Sequence, residues 1–190
     1  MISINLFNRS KERAIFFVHG LFANSGFWIN HIREFKAYRI VLCNIDYDYF
    51  CEEPGEIINC CNELIANNNV FASVSHSFGS VVNSQINANI ACFDICPILH
   101  SERVNRIDFI SEMSKKTGKE LTEIEQLLKK ADVCLKYKLN DVTFSQPLHT
   151  SLVPSNDKFF NYINKSNFVG DHFHIDDAIK KIKKLIDELN

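Results

Sequence analysis

Five short runs rich in aromatic and β-branched residues, set apart by segments of helical length, constrain this chain more than any other feature. Residues 14–18 (AIFFV), 38–45 (YRIVLCNI), 70–74 (VFASV), 90–96 (IACFDIC) and 150–153 (TSLV) each read as a strand buried on both sides. Strands of that kind belong to a mostly parallel sheet whose crossovers lay helices over both faces. The expected class is α/β.

The helices announce themselves by spacing. Ile175, Ile179, Ile182 and Ile186 recur at intervals of three and four and leave Lys180, Lys181 and Lys184 on other faces, which predicts an amphipathic C-terminal helix. Leu121, Ile124, Leu128, Ala131 and Leu135 repeat the pattern, with Thr117 and Glu120 spaced as a capping box ahead of it. Residues 80–87 also suit a helix, and the Asn67 to Asn69 run is a turn before a strand. The segment at about 98–145 breaks the rhythm, because about two helices and no clear strand fill it. It reads as an inserted helical cap or, equally, as a lengthened crossover without a functional role.

A chain of 190 residues fits a single domain spanning 1–190, which buries roughly 70% of its unfolded surface. The net charge of −2 leaves no excess of Lys and Arg for phosphate, so no nucleic-acid partner is expected. No apolar run approaches the ~20 residues of a membrane span. Residues 1–13 are polar after Phe7 and lack the features of a secretory signal, so a cytoplasmic location is expected. The seven cysteines (Cys43, Cys51, Cys60, Cys61, Cys92, Cys96 and Cys134) are odd in number and contain no C-x-x-C unit. That suits neither a disulfide framework nor a structural metal site, and most read as reduced core thiols.

Four short motifs carry the chemistry. Ser75-His76-Ser77-Phe78-Gly79 directly follows the 70–74 strand and precedes a helix; His19-Gly20-Leu21 follows the 14–18 strand. Ser155-Asn156-Asp157 follows the 150–153 strand, and Gly170-Asp171-His172-Phe173 stands just before the C-terminal helix. Taken in this order they resemble the α/β-hydrolase superfamily, from about Ala14 to the C-terminus, with Ser75 in place of the first glycine of the G-x-S-x-G elbow. The resemblance implies an α/β-hydrolase fold with a small helical cap. It implies Ser77 as nucleophile, His172 as base and Asp157 as the acid that orients it, with the backbone N–H groups of Leu21 and Phe78 as oxyanion hole. No cofactor and no metal are expected.

Other readings compete for the same residues. Ser155 to Asp157 could equally form an Asx turn. Asp94 is the rival acid and His174 the fallback base; Asp46 and Asp48 read as shaping a surface loop. His19 fits a structural role under the oxyanion loop, and Trp28 fits core packing. His31, His76, His100 and His149 fit structural or surface roles.

The resemblance implies a serine hydrolase cleaving a carboxylic ester through an acyl-enzyme. The substrate would be a small molecule or an acyl ester on a carrier protein, as in biotin synthesis. An acyl thioesterase is the alternative, a catalytically inactive binding module a third, and the small serine hydrolases of about this length, with little lid, a fourth. Arg103, Arg106, Lys115, Lys116, Lys119, Lys129, Lys130, Lys136 and Lys138 give the 98–145 segment a mild basic excess that would suit an acidic acyl carrier protein, or would simply be a solvated helix face.

Overall fold

The structure is a computed structural model and describes residues 1–98, 101–137, 139 and 149–189. In chain order it contains β1 (Ile2–Phe7), β2 (Ala14–Val18), two 3₁₀ turns (Ser25–Trp28 and Ile32–Phe35) and β3 (Arg39–Ile45). Next come α1 (Tyr47–Glu52), α2 (Pro54–Asn67), β4 (Val70–His76), α3 (Gly79–Ser84), β5 (Ala91–Ile95) and β6 (Ser101–Arg103). The chain continues with α4 (Arg106–Thr117), α5 (Leu121–Tyr137), β7 (His149–Leu152), β8 (Phe160–Tyr162) and α6 (Asp176–Glu188).

Six strands form one sheet in the order β1-β3-β2-β4-β5-β7. Only β1 runs antiparallel to its neighbour. The five apolar runs are thus the parallel strands, and successive residues feed opposite cores as the period of two requires. Ala14, Phe16 and Val18 enter a core with Ile57 and Ile65 of α2, Val81 of α3 and Leu128 of α5. Ile15 and Phe17 enter the other, with Trp28, Phe35 and the isoleucines of α6. Ile175, Ile179, Ile182 and Ile186 are all buried there, and burial of each such side chain favours folding by about 1.5–3 kcal/mol.

Several expectations need correction. The N-terminal segment forms the edge strand β1, paired along its length with β3 (Ile2↔Ile45 to Phe7↔Ile40). Its I-S-I-N-L alternation carried that signal, although Ile4 and Phe7 stay exposed. The 98–145 segment contains the short strand β6, which pairs antiparallel with β8 as a separate two-stranded sheet. Thr117 does not cap α5: its hydroxyl donates to the Met113 carbonyl at the end of α4, and Glu123 accepts from the Glu120 N–H instead. Residues 85–87 lie beyond the end of α3.

Asp46 caps α1 by accepting from the N–H groups of Asp48 and Tyr49, so that pair shapes a helix start and not a loop. His100, Lys138 and part of the 98–145 segment lie outside the described residues. All seven cysteines are free, and Cys60 alone among them is not buried. Among the described residues no helix is long and apolar enough to cross a membrane.

Candidate active site

β4 ends at His76, and the chain turns at Ser77 into α3. Ser77 adopts φ 53, a left-handed conformation that a β-carbon disfavours and that costs of order 1–3 kcal/mol. Its own N–H offsets part of that cost by donating to the Ile95 carbonyl at 2.9 Å. The turn is tight enough that a β-carbon on Gly79 would lie 2.8 Å from the His19 carbonyl oxygen and 2.9 Å from that of Val18. Only glycine lets α3 start this close to the end of β2.

Three loops at the carboxyl ends of β4, β7 and the segment before α6 bring Ser77, Asp157 and His172 together. His172 Nε2 lies 2.9 Å from Ser77 Oγ, and its Nδ1 lies 2.9 Å from Asp157 Oδ2. A carboxylate can only accept, so the ring proton stands at Nδ1 and Nε2 faces the serine hydroxyl with its lone pair. Asp157 Oδ1 accepts from the N–H groups of Phe159 and Phe160, which is an Asx turn, while Oδ2 accepts from His172 and from the Tyr162 hydroxyl at 2.7 Å. The Asx turn and the contact with His172 therefore coexist on one carboxylate. Burial alone would raise its carboxyl, but the bonds from His172, Tyr162 and the Phe159 N–H outweigh it and hold the group below the ordinary carboxylate value.

Across the cleft stands His76, buried, stacked on Phe27 and donating from Nε2 to the His172 carbonyl at 2.7 Å. Burial, reinforced by His172, pushes its imidazole down to about 3, so it is neutral at neutral pH. Leu21 lines the same cleft as Ser77, and among the described residues neither the Leu21 nor the Phe78 N–H donates to a backbone acceptor. The cleft, about 180 Å³, is walled by Leu21, Phe22, Phe27, Phe109, Met113 and Phe173.

No protein-family model matches the sequence, and no curated protein sequence matches it. Solved structures do. The NocB thioesterase domain, in covalent complex with a fluorophosphonate nocardicin G analogue, superposes with a TM-score of 0.65 at 12% identity, over 97% of this chain and 99% of that one. The chain has the α/β-hydrolase fold. A lipase-esterase related protein from Clostridium acetobutylicum matches with TM-score 0.63 at 12% identity over 100% of both chains. The N-acyl homoserine lactonase AidH, complexed with N-hexanoyl homoserine lactone, matches with TM-score 0.65 at 10% identity over 99% of this chain and 93% of that one.

Within the α/β-hydrolase fold the remaining candidates fall into place. Asp94 does not reach His172: it accepts from Ser75 Oγ, from Asn83 Nδ2 at 2.7 Å and pairs with His149 Nε2, a buried network under the elbow. The serine that replaces the first elbow glycine is thus tied to β5 (Ser75↔Asp94 in register) and does not intrude on the turn. His174 is exposed and bonded to Asp171. His19 accepts from the Ile45 N–H and donates to the Gly20 carbonyl, the expected structural role, and burial lowers its pKa. Trp28 is core. His31 pairs with Asp176 on the surface of α6.

Sequence reasoning missed Tyr162 and His76 as neighbours of Asp157 and His172. For Tyr162 the only local signal is its place five residues after Asp157, and for His76 its place inside the elbow. Neither spacing specifies a contact.

Proposed function

We propose that this chain is a serine hydrolase that cleaves carboxylic esters through an acyl-enzyme. One observation carries the reading: Ser77, on a left-handed turn between strand and helix, lies 2.9 Å from a histidine nitrogen whose opposite nitrogen lies 2.9 Å from a carboxylate. That is the relay needed to make a hydroxyl nucleophilic at neutral pH.

In this reading Ser77 Oγ attacks the acyl carbonyl carbon while His172 Nε2 takes its proton. Asp157 stabilises the imidazolium, and the Leu21 and Phe78 N–H groups receive the oxyanion. His172 returns the proton to the leaving alcohol, and water then attacks the acyl-serine with His172 again as base. The apolar walls suit the acyl chain. Phe109 and Met113 of α4 belong to those walls, which supports α4 as the part of the expected 98–145 cap that borders the nucleophile and favours a capped esterase over the small hydrolases with little lid, while α5 packs into the core. A thioester would pass through the same steps, with thiol in place of alcohol as leaving group.

The experiment is fluorophosphonate labelling of the purified chain with peptide mapping, beside Ser77→Ala and His172→Ala. Modification confined to Ser77 and lost in both variants is expected, after which paired acyl esters and acyl thioesters separate the two substrates. A folded wild type that takes up no label would leave a binding module as the better reading.

A further inference from the structure

The triad carries on its acid side a thiol that acyl transfer does not use. Cys96 follows β5 with φ 51, and its sulfur, a carboxylate oxygen of Asp157 and a ring nitrogen of His172 all lie within 4.8 Å of one another. Among the described residues no other three such side chains are grouped this closely. Thiolate, carboxylate and imidazole are the ligand types of zinc, which holds sulfur at about 2.3 Å and nitrogen or oxygen at about 2.0 Å, so tetrahedral ligand atoms stand roughly 3.3–3.8 Å apart. Asp157 Oδ2 and His172 Nδ1 are hydrogen-bonded at 2.9 Å, so closing on an ion of this size requires that pair to open by roughly 0.4 Å while the sulfur draws in. A second cleft, about 310 Å³, reaches Asp157 and Tyr162 without including Ser77, and its rim of Ser155, Asn161, Asn164 and Ser166 is polar. Of the three ligands this cleft includes Asp157 alone.

We propose that Zn²⁺ binds reversibly to Cys96, Asp157 and His172 and switches the enzyme off. The inhibition rests on the serine-hydrolase reading above; the binding does not. His172 carries one ring proton, which stands at Nδ1 while Nε2 serves Ser77. Zinc takes the Nδ1 lone pair, so the proton must stand at Nε2, where it faces the serine oxygen and the base is lost. Cys96 releases its thiol proton to solvent and Asp157 is already ionised, so one proton leaves per ion bound. The fourth position falls to water or to the Tyr162 hydroxyl, which lies against both Asp157 and the Cys96 thiol. Zinc acts here as an inhibitor and is no part of the reaction.

The test follows fluorophosphonate labelling of Ser77 in the full chain as zinc chloride is added, then removed with a chelator. Wild type is expected to lose labelling with zinc and regain it with chelator, while Cys96→Ala labels at the wild-type rate without metal and no longer responds to zinc. Equal inhibition of wild type and Cys96→Ala would overturn the site. Cobalt(II) in place of zinc gives a readout independent of activity: a sulfur-to-cobalt charge-transfer band in wild type, missing in Cys96→Ala and in His172→Ala. A band that persists in Cys96→Ala would place the metal on another thiol, such as the part-exposed Cys60, and overturn the proposal. Should Cys96→Ala not fold, Cys96→Ser keeps the side-chain volume and is expected to lose the band. If Ser77 takes no label even without metal, the hydrolase reading fails, and the cobalt band still decides whether the site exists.

Discussion

Asp157 accepts hydrogen bonds from His172, Tyr162, Phe159 and Phe160, and of these donors only the Tyr162 phenol can be removed without touching the backbone or His172. It shares Oδ2 with His172 Nδ1, so it fixes the carboxylate plane and with it the imidazole. Hydrogen bonds to charged groups contribute about 1.5–3 kcal/mol net. On the proposed function, part of that appears at Ser77, so Tyr162→Phe should slow fluorophosphonate labelling of Ser77 roughly tenfold, which is about 1.4 kcal/mol of barrier. A folded Tyr162→Phe protein labelled at the wild-type rate would show that Phe159, Phe160 and the burial of Asp157 suffice to hold the acid. The serine, aspartate and histidine were legible because each follows a strand or precedes a helix on a turn rich in small residues. Tyr162 was not, because a phenol's partner depends on where β8 folds, and β8 is placed by pairing with β6, some 60 residues earlier (Ser101↔Tyr162).

At the scale of elements, the elbow is a junction of β2, β4 and α3, and Gly79 is its closest point. A β-carbon there would press on the carbonyl oxygens of Val18 and His19, which belong to backbone and cannot rotate away. Either the end of β2 or the start of α3 has to move. Gly79→Ala is therefore expected to destabilise the fold by about 1–3 kcal/mol and to shift the Phe78 N–H away from the reacting oxygen. Urea unfolding reads the first effect, and the Ser77 labelling rate, expected to fall together with stability, reads the second; unchanged values of both would mean that the junction has slack. The same scale explains the misplaced cap at Thr117. A Thr-x-x-Glu spacing is satisfied equally by the end of one helix and the start of the next, and only the length of α4 decides between them.

For the molecule as a whole, the buried imidazole beside His172 makes acid the condition to watch. His76 sits at about 3 when folded and near 6.5 when unfolded, so between those values the unfolded chain binds a proton that the folded one refuses. Stability therefore rises with pH across this window and is lost as pH falls through it, by about 1.4 kcal/mol per pH unit. His76→Gln retains a donor for the His172 carbonyl and removes the titration. Its unfolding free energy between pH 6.5 and 5 is expected to fall less steeply than that of wild type by about that slope, and parallel slopes in the two proteins would refute the assignment. Asp157 acts in the same direction at lower pH: its folded value is depressed, so its contribution is complete above the ordinary carboxylate value and fades as pH falls through the folded one.

The sequence alone determined the class of fold, the five parallel strands, the C-terminal helix and the turns on which Ser77, Asp157 and His172 stand, because hydrophobic periodicity and turn chemistry act between residues close in the chain. The tertiary structure decided what depends on distant partners. It set β1 at the sheet edge and paired β6 with β8. It tied Asp94 to Ser75, Asn83 and His149 and kept it from His172. It brought Tyr162, His76 and Cys96 around Asp157 and His172. Those contacts join residues up to 96 positions apart (His76 to His172), and hydrogen bonding across such separations is fixed by how packed layers meet and leaves no periodic trace in the order of residues.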